Sequence, residues 1–200
     1  MKERYQTANR KSSCDLIGQL ATRYGHRGHM FLVCRGCKLK PPELRPDWEF
    51  VADTVMGGLS KGQIAELEVS GLSATRLTGQ VSLENNGGFV QMAFNISDDG
   101  SIFDASNYEG IEIDVFGNDE EYDIRLRTSD LTRPWQSYRA LFKARPEWST
   151  TRLGFSEFVP HKTETPFNVR RLRRIGVLGI GREYDADVSV SGVRFFNLRD

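Results

Sequence analysis

Alternation of apolar and polar side chains, repeated in segment after segment, constrains this chain more than any other feature. Ala65, Leu67 and Val69 alternate with Glu66, Glu68 and Ser70, and Ile111, Ile113 and Val115 with Glu112 and Asp114. Tyr122, Ile124 and Leu126 alternate with Asp123, Arg125 and Arg127, and Tyr138, Ala140 and Phe142 with Arg139 and Lys143. Val188 and Val190 lead on to Val193 and Phe195. A period of two sends successive side chains to opposite faces, so each segment reads as a strand with one dry and one wet face. On that pattern the carboxylates of the polar phase form solvated faces. Turn chemistry punctuates the strands at Ser70-Gly71, Asp98-Asp99-Gly100, Gly117-Asn118-Asp119, Gly181-Arg182 and Ser191-Gly192. No long segment has the helical period of 3.6; short helical turns are expected only at residues 103–106 and within 168–174. The expectation is an all-β fold, a sandwich or jelly roll.

Two hundred residues suffice for one domain with a full core. The Lys40-Pro41-Pro42 boundary separates a basic arm, 1–45, from a sandwich domain over 46–197. The chain is neutral, with 27 basic and 27 acidic side chains, but unevenly so. Residues 1–40 carry nine basic side chains against Glu3 and Asp15, which leaves the remainder at −7 and poorly suited to stable nucleic-acid binding. The Arg-rich, acid-poor arm fits a mitochondrial transit peptide, an arm without fixed structure, or a segment upstream of the true start. Its longest apolar run, Met30 to Cys34, is too short to span a bilayer, and no transmembrane segment is expected. All three cysteines lie in the arm, which excludes a disulfide-stapled body. His26, His29, Cys34 and Cys37 are zinc-ligand types, but the two pairs sit closer together than finger sites allow, and no metal or cofactor is expected.

The chemistry of the body points away from catalysis. It holds one histidine, His161, in a polar stretch that reads as a solvated loop, and no cysteine. The Gly176, Gly179 and Gly181 set lacks dinucleotide-loop spacing. The run Arg170-Arg171-Leu172-Arg173-Arg174 suits an anionic contact or, more plainly, a solvated connection anchored by Leu172, with Glu164 and Glu183 as neutralising neighbours. Recognition is instead expected at two glycine-rich turns. The first contains Asp53, Met56, Gly57, Gly58 and Ser60, and the second Asn85, Asn86, Gly87, Gly88 and Phe89. Trp135 and Tyr138 supply flat apolar area suited to a carbohydrate or a polypeptide. The same residues also suit ordinary turn building, with Asp53 and the Asn pair capping their own turns and Met56 and Phe89 filling core.

The ordered pattern Trp48…Asp53-x-x-Met56-Gly57-Gly58-x-Ser60-x-Gly62, then Gly79-x-Val81-Ser82-x-Glu84-Asn85-Asn86-Gly87-Gly88-Phe89, resembles the complex I intermediate-associated protein 30 family. Tyr108-x-Gly110-Ile111, Trp135-Gln-Ser-Tyr138, Trp148 and Phe155…Phe158-x-Pro160 extend the likeness over residues 48–196. The resemblance implies a galactose-binding-like jelly roll. It also implies a non-enzymatic assembly chaperone for NADH:ubiquinone oxidoreductase, with assembly intermediates as protein partners. The setting would be the mitochondrial matrix in a eukaryote and the cytoplasm in a bacterium. A carbohydrate-binding module is the second expectation and an RNA-associated module a remote third.

Overall fold

Eleven strands build two antiparallel sheets in the computed structural model, which describes residues 44–197. The basic arm and its His26, His29, Cys34 and Cys37 cluster lie outside the described residues. The six-stranded sheet has the order β1 (Glu49–Ala52), β4 (Phe89–Asn95), β10 (Leu172–Ile180), β6 (Glu120–Thr128), β7 (Ser137–Ala144) and β9 (Val159–His161). The five-stranded sheet has the order β2 (Lys61–Val69), β3 (Leu72–Val81), β11 (Tyr184–Phe196), β5 (Gly110–Gly117) and β8 (Ser149–Gly154). The fold is an all-β sandwich.

The alternation read from the sequence sets which face is dry. Leu77, Ile111, Ile113, Val115, Ile124, Leu126, Ile175, Val177, Val193 and Phe195 are all fully buried between the sheets. Ser70 and Gly71 close the β2–β3 hairpin with φ of 45° and 86°, the left-handed pair that a two-residue hairpin turn demands. One expectation needs correction. Residues 103–106 form no helix, because Phe103 exchanges backbone hydrogen bonds with Leu172 and its ring stacks 5.0 Å from Phe195. The short helical turn expected within 168–174 is present, as the 3-10 segment Val169–Arg171 capped by the Asn168 side chain, before β10 begins.

The polar phase is also drier than the alternation suggests. Glu112 is only 6% exposed and Asp123 only 1%. Arginines lie over both: Arg152 and Arg194 pair with Glu112, and Arg125 and Arg139 reach Asp123 at 2.9 and 3.0 Å. Long guanidinium side chains spread across a sheet cover the carboxylates they neutralise.

One polar contact ties the two layers together. The buried Tyr122 hydroxyl, on β6, accepts the Asp187 N–H of β11 at 2.8 Å and donates to Asn118 Oδ1 at 2.7 Å. Burial pushes its pKa above the ordinary phenol value. Tyr122→Phe strands both partners and is expected to lower unfolding free energy by about 1–2 kcal/mol in urea titrations.

Candidate functional site

The first glycine turn begins as a short 3-10 segment, Asp53–Met56, ended by Gly57 at φ 88°. Its amides close back locally, Gly57 N–H on Thr54 O and Gly58 N–H on Asp53 O. That leaves the Asp53 side chain free to turn inward, where it is fully buried. Its carboxylate accepts the Ser60 amide at 3.0 Å and the Ser60 hydroxyl on one side. On the other it accepts the Gly88 amide at 2.5 Å and the Phe89 amide at 3.2 Å. Ser60 Oγ in turn accepts the Ser82 amide at 2.9 Å, reaching the start of the second turn. Asp53 therefore holds its own turn through Ser60 and also joins it to a second loop 35 residues away in sequence.

The glycines follow from that junction. A Cβ on Gly58 would overlap the Asp53 carboxyl carbon, and one on Gly87 would lie 2.5 Å from Oδ2. The carboxylate fills the space that any larger residue needs. Burial raises the Asp53 pKa, but the Ser60 hydroxyl and the Gly88, Phe89 and Ser60 amides outweigh it, so the group stays below its ordinary value of 3.8.

With its polar atoms consumed inside, the first turn shows apolar ones outside. Val55 is 72% and Met56 58% exposed. Both overhang a cleft of about 730 Å³ that runs across the outer face of the six-stranded sheet. The strand residues opposite in phase to the core make its floor: Phe89 and Gln91 from β4, Gly176, Leu178 and Ile180 from β10, and Arg125 and Arg127 from β6. Leu131, Pro134 and Trp135 line it from the β6–β7 loop, and His161 and Lys162 from the end of β9. Trp135 is half exposed, with the Arg133 guanidinium 5.8 Å from its ring centre.

The expected site residues thus separate. Met56, Phe89 and Trp135 reach the cleft. Asp53, Gly58 and Ser60 are buried scaffold, as is the Gly88 backbone. Asn85, at φ 55°, is exposed in the short turn Glu84–Asn86, which also contains the backbone of Asn86; Gly87 closes that turn. Tyr138 is a correction. It is fully buried, its hydroxyl donates to the Thr165 and Pro166 carbonyls at 3.0 and 3.1 Å, and its ring lies 4.7 Å from Phe167. It offers no surface to a ligand.

His161, in a polar stretch that reads as a solvated loop, is in fact half-buried and pairs in register with Ser137 beside the cleft. Burial, then Arg125, Arg139 and Lys162, push its pKa down to about 4 against the opposing pull of Asp123. The arginine run is likewise divided. Arg170 faces Asp104 and Arg171 lies 2.6 Å from Asp130, while Leu172 is fully buried. A β-bulge between Leu172 and Arg174 inserts one extra residue opposite β6, so Arg173 and Arg174 both line the cleft. Among the described residues no cluster of histidine, cysteine and carboxylates is arranged for a metal, and no helix is long and apolar enough to cross a membrane.

Residues 37–189 match the family described as Complex I intermediate-associated protein 30. The chain belongs to that family. No curated protein is similar enough in sequence to match. Among solved structures, a family 11 carbohydrate-binding module from a Clostridium thermocellum cellulosomal cellulase superposes with a TM-score of 0.61 at 11% identity, covering 80% of this chain and 96% of that one. The same family's module in complex with a β-1,3-1,4-mixed-linked tetrasaccharide gives 0.60 at 11% identity, over 78% and 94% of the two chains. A family 30 module from a second cellulosomal cellulase of that organism gives 0.56 at 13%, over 81% and 96%. At such identities these modules share the fold with this family member, a jelly-roll β-sandwich.

Three outcomes are expected. Asp53→Asn puts amide hydrogens against amide hydrogens and should cost about 2–4 kcal/mol of unfolding free energy in urea. Because the folded pKa is depressed, the carboxylate's contribution is present above pH about 4 and is lost as pH falls towards the folded value; stability–pH curves of the variant should lack that acid limb. His161, observed by imidazole proton NMR, should stay neutral through pH 5 and titrate near pH 4.

Proposed function

We propose that this protein is a non-catalytic binding module that serves as an assembly factor for respiratory complex I, holding an assembly intermediate in the cleft of the six-stranded sheet. The observation that carries this reading is the pair Val55 and Met56, exposed at the cleft edge on a turn that Asp53 fixes from beneath. Exposed apolar side chains on a rigid turn, rimmed by polar groups, are the surface that protein recognition needs. Membership of a family described as complex I intermediate-associated supports an assembly intermediate of that complex as the partner. The compartment is then the one where that complex is built, the mitochondrial matrix in a eukaryote or the cytoplasm in a bacterium.

Base catalysis by His161 is disfavoured on electrostatic grounds. An imidazole acting as general base becomes positively charged as it takes a proton, and the cations Arg125, Arg139 and Lys162 around it oppose that. One observation favours a second reading, carbohydrate binding: the open face of Trp135 shares the cleft with the hydrogen-bonding side chains of Gln91, Asn95 and Ser137.

Affinity capture with the tagged full chain tests the choice. Wild-type protein is expected to retain complex I subunits, and Met56→Glu and Trp135→Ala, both surface changes, to lose most of them without loss of thermal stability. Equal capture by Met56→Glu overturns the placement of the site, and binding of mixed-linked β-glucan without any complex I subunit moves the case to the carbohydrate reading.

A further inference from the structure

The cleft differs from the rest of the body in its charge. Beyond residue 40 the chain carries a net charge of −7, yet five of the cleft's lining side chains are cationic and none is a carboxylate. Two of the five are neutralised within the fold: Arg125 by Asp123 at 2.9 Å and Arg174 by Glu49 at 2.6 Å. Among the described residues, Arg127, Arg173 and Lys162 have no carboxylate within ion-pair distance. Arg127 donates one hydrogen bond, to the Arg133 carbonyl at 3.0 Å, and its Nε is buried with no acceptor. Burial, followed by the nearby Arg174 and Arg173, lowers its pKa, so the guanidinium sits in an environment that lacks compensating negative charge. The bulge in β10 is what adds Arg173 to this set.

We propose that the cleft selects an acidic polypeptide segment. Its carboxylates pair with Arg127, Arg173 and Lys162, and its apolar side chains lie against Val55, Met56 and Leu178. This deepens, and rests on, the assembly-factor reading by stating the chemistry of the segment that is held. A buried donor without an acceptor, Arg127 Nε, and cations without counter-ions favour an anionic occupant over a neutral glucan. Val55, Met56 and Leu131 are aliphatic or thioether groups that adapt to peptide side chains and give no flat face for a sugar ring.

Selection of a random dodecapeptide display library against the full chain tests this, with counter-selection on the triple variant Arg127→Gln, Arg173→Gln, Lys162→Gln. Enriched peptides are expected to combine Asp or Glu with Leu, Ile, Val or Met. By fluorescence anisotropy they should bind the triple variant at least about tenfold more weakly, and wild type more weakly as salt rises. Urea unfolding should show the variant close to wild type in stability, because the removal of like charges offsets the lost Arg127 hydrogen bond to the Arg133 carbonyl. Peptides without acidic enrichment, equal binding to the variant, or an oligogalacturonate that binds the cleft where no acidic peptide does would each overturn the proposal. The two levels separate cleanly. Complex I subunits captured equally by wild type and the triple variant would sink the acidic-segment inference alone. Acidic peptides bound in the cleft by a protein that captures no complex I subunit would sink the assembly reading alone.

Discussion

The Asp53 carboxylate holds two separate loops through four donors, two from Ser60 and one each from Gly88 and Phe89. A buried charge is tolerated only when its lone pairs are filled, and here nearly all the available valence is used. Everything at that end of the sandwich follows from this packing. Gly58 and Gly87 are required because the carboxylate occupies the volume beside them. Ser60 is required because its hydroxyl both donates to Asp53 and accepts from Ser82. Val55 and Met56 face outward because the inward side of their turn is already full. A turn fixed in this way presents apolar side chains with little conformational entropy left to lose on binding.

The outer faces of the two sheets treat charge in different ways. On the five-stranded sheet, Glu112 is shared by Arg152 and Arg194, Asp114 takes Arg194 and the Thr150 hydroxyl, and Asp187 takes Arg76 at 2.7 and 2.5 Å. That face is closed by its own ion pairs. On the six-stranded sheet Asp123 engages Arg125 and Arg139 and Glu49 engages Arg174, but among the described residues Arg127, the next arginine along β6, has no acid within ion-pair distance. Individual exposed pairs add little to stability. Their distribution matters more here, because the sheet with surplus cations is also the one that carries the cleft of about 730 Å³.

Sharing a sandwich with carbohydrate-binding modules does not transfer their ligand. The jelly roll supplies a curved sheet and loops at its ends; side chains on that sheet decide what it accepts. In this chain they are largely aliphatic and cationic. Gly176 lowers the floor between Arg125 and Ala93, its register partners on either side, and Trp135 alone among the described aromatics combines an open position with a place on the cleft wall.

Much of the architecture was legible in the sequence because strand periodicity is local. Alternation at 111–115 and 122–126 named the buried faces without reference to any partner strand, and Ser70-Gly71 named its hairpin. The two glycine turns were also legible as special, since adjacent glycines beside Asp and Asn have few other uses. What they do was not. Asp53 looks like a residue capping its own turn, and only the folding of residues 88–89 onto it makes it a junction. Tyr138 and Trp135 are three residues apart and equally aromatic, yet strand phase buries one and a loop exposes the other. Arg173 reaches the cleft only through a bulge, and His161 only because β9 pairs with β7. Sequence alone determined the strands, their dry faces and the family. Tertiary structure decided the cleft and its charge, because both arise from contacts between segments far apart in the chain, whose register no local pattern encodes.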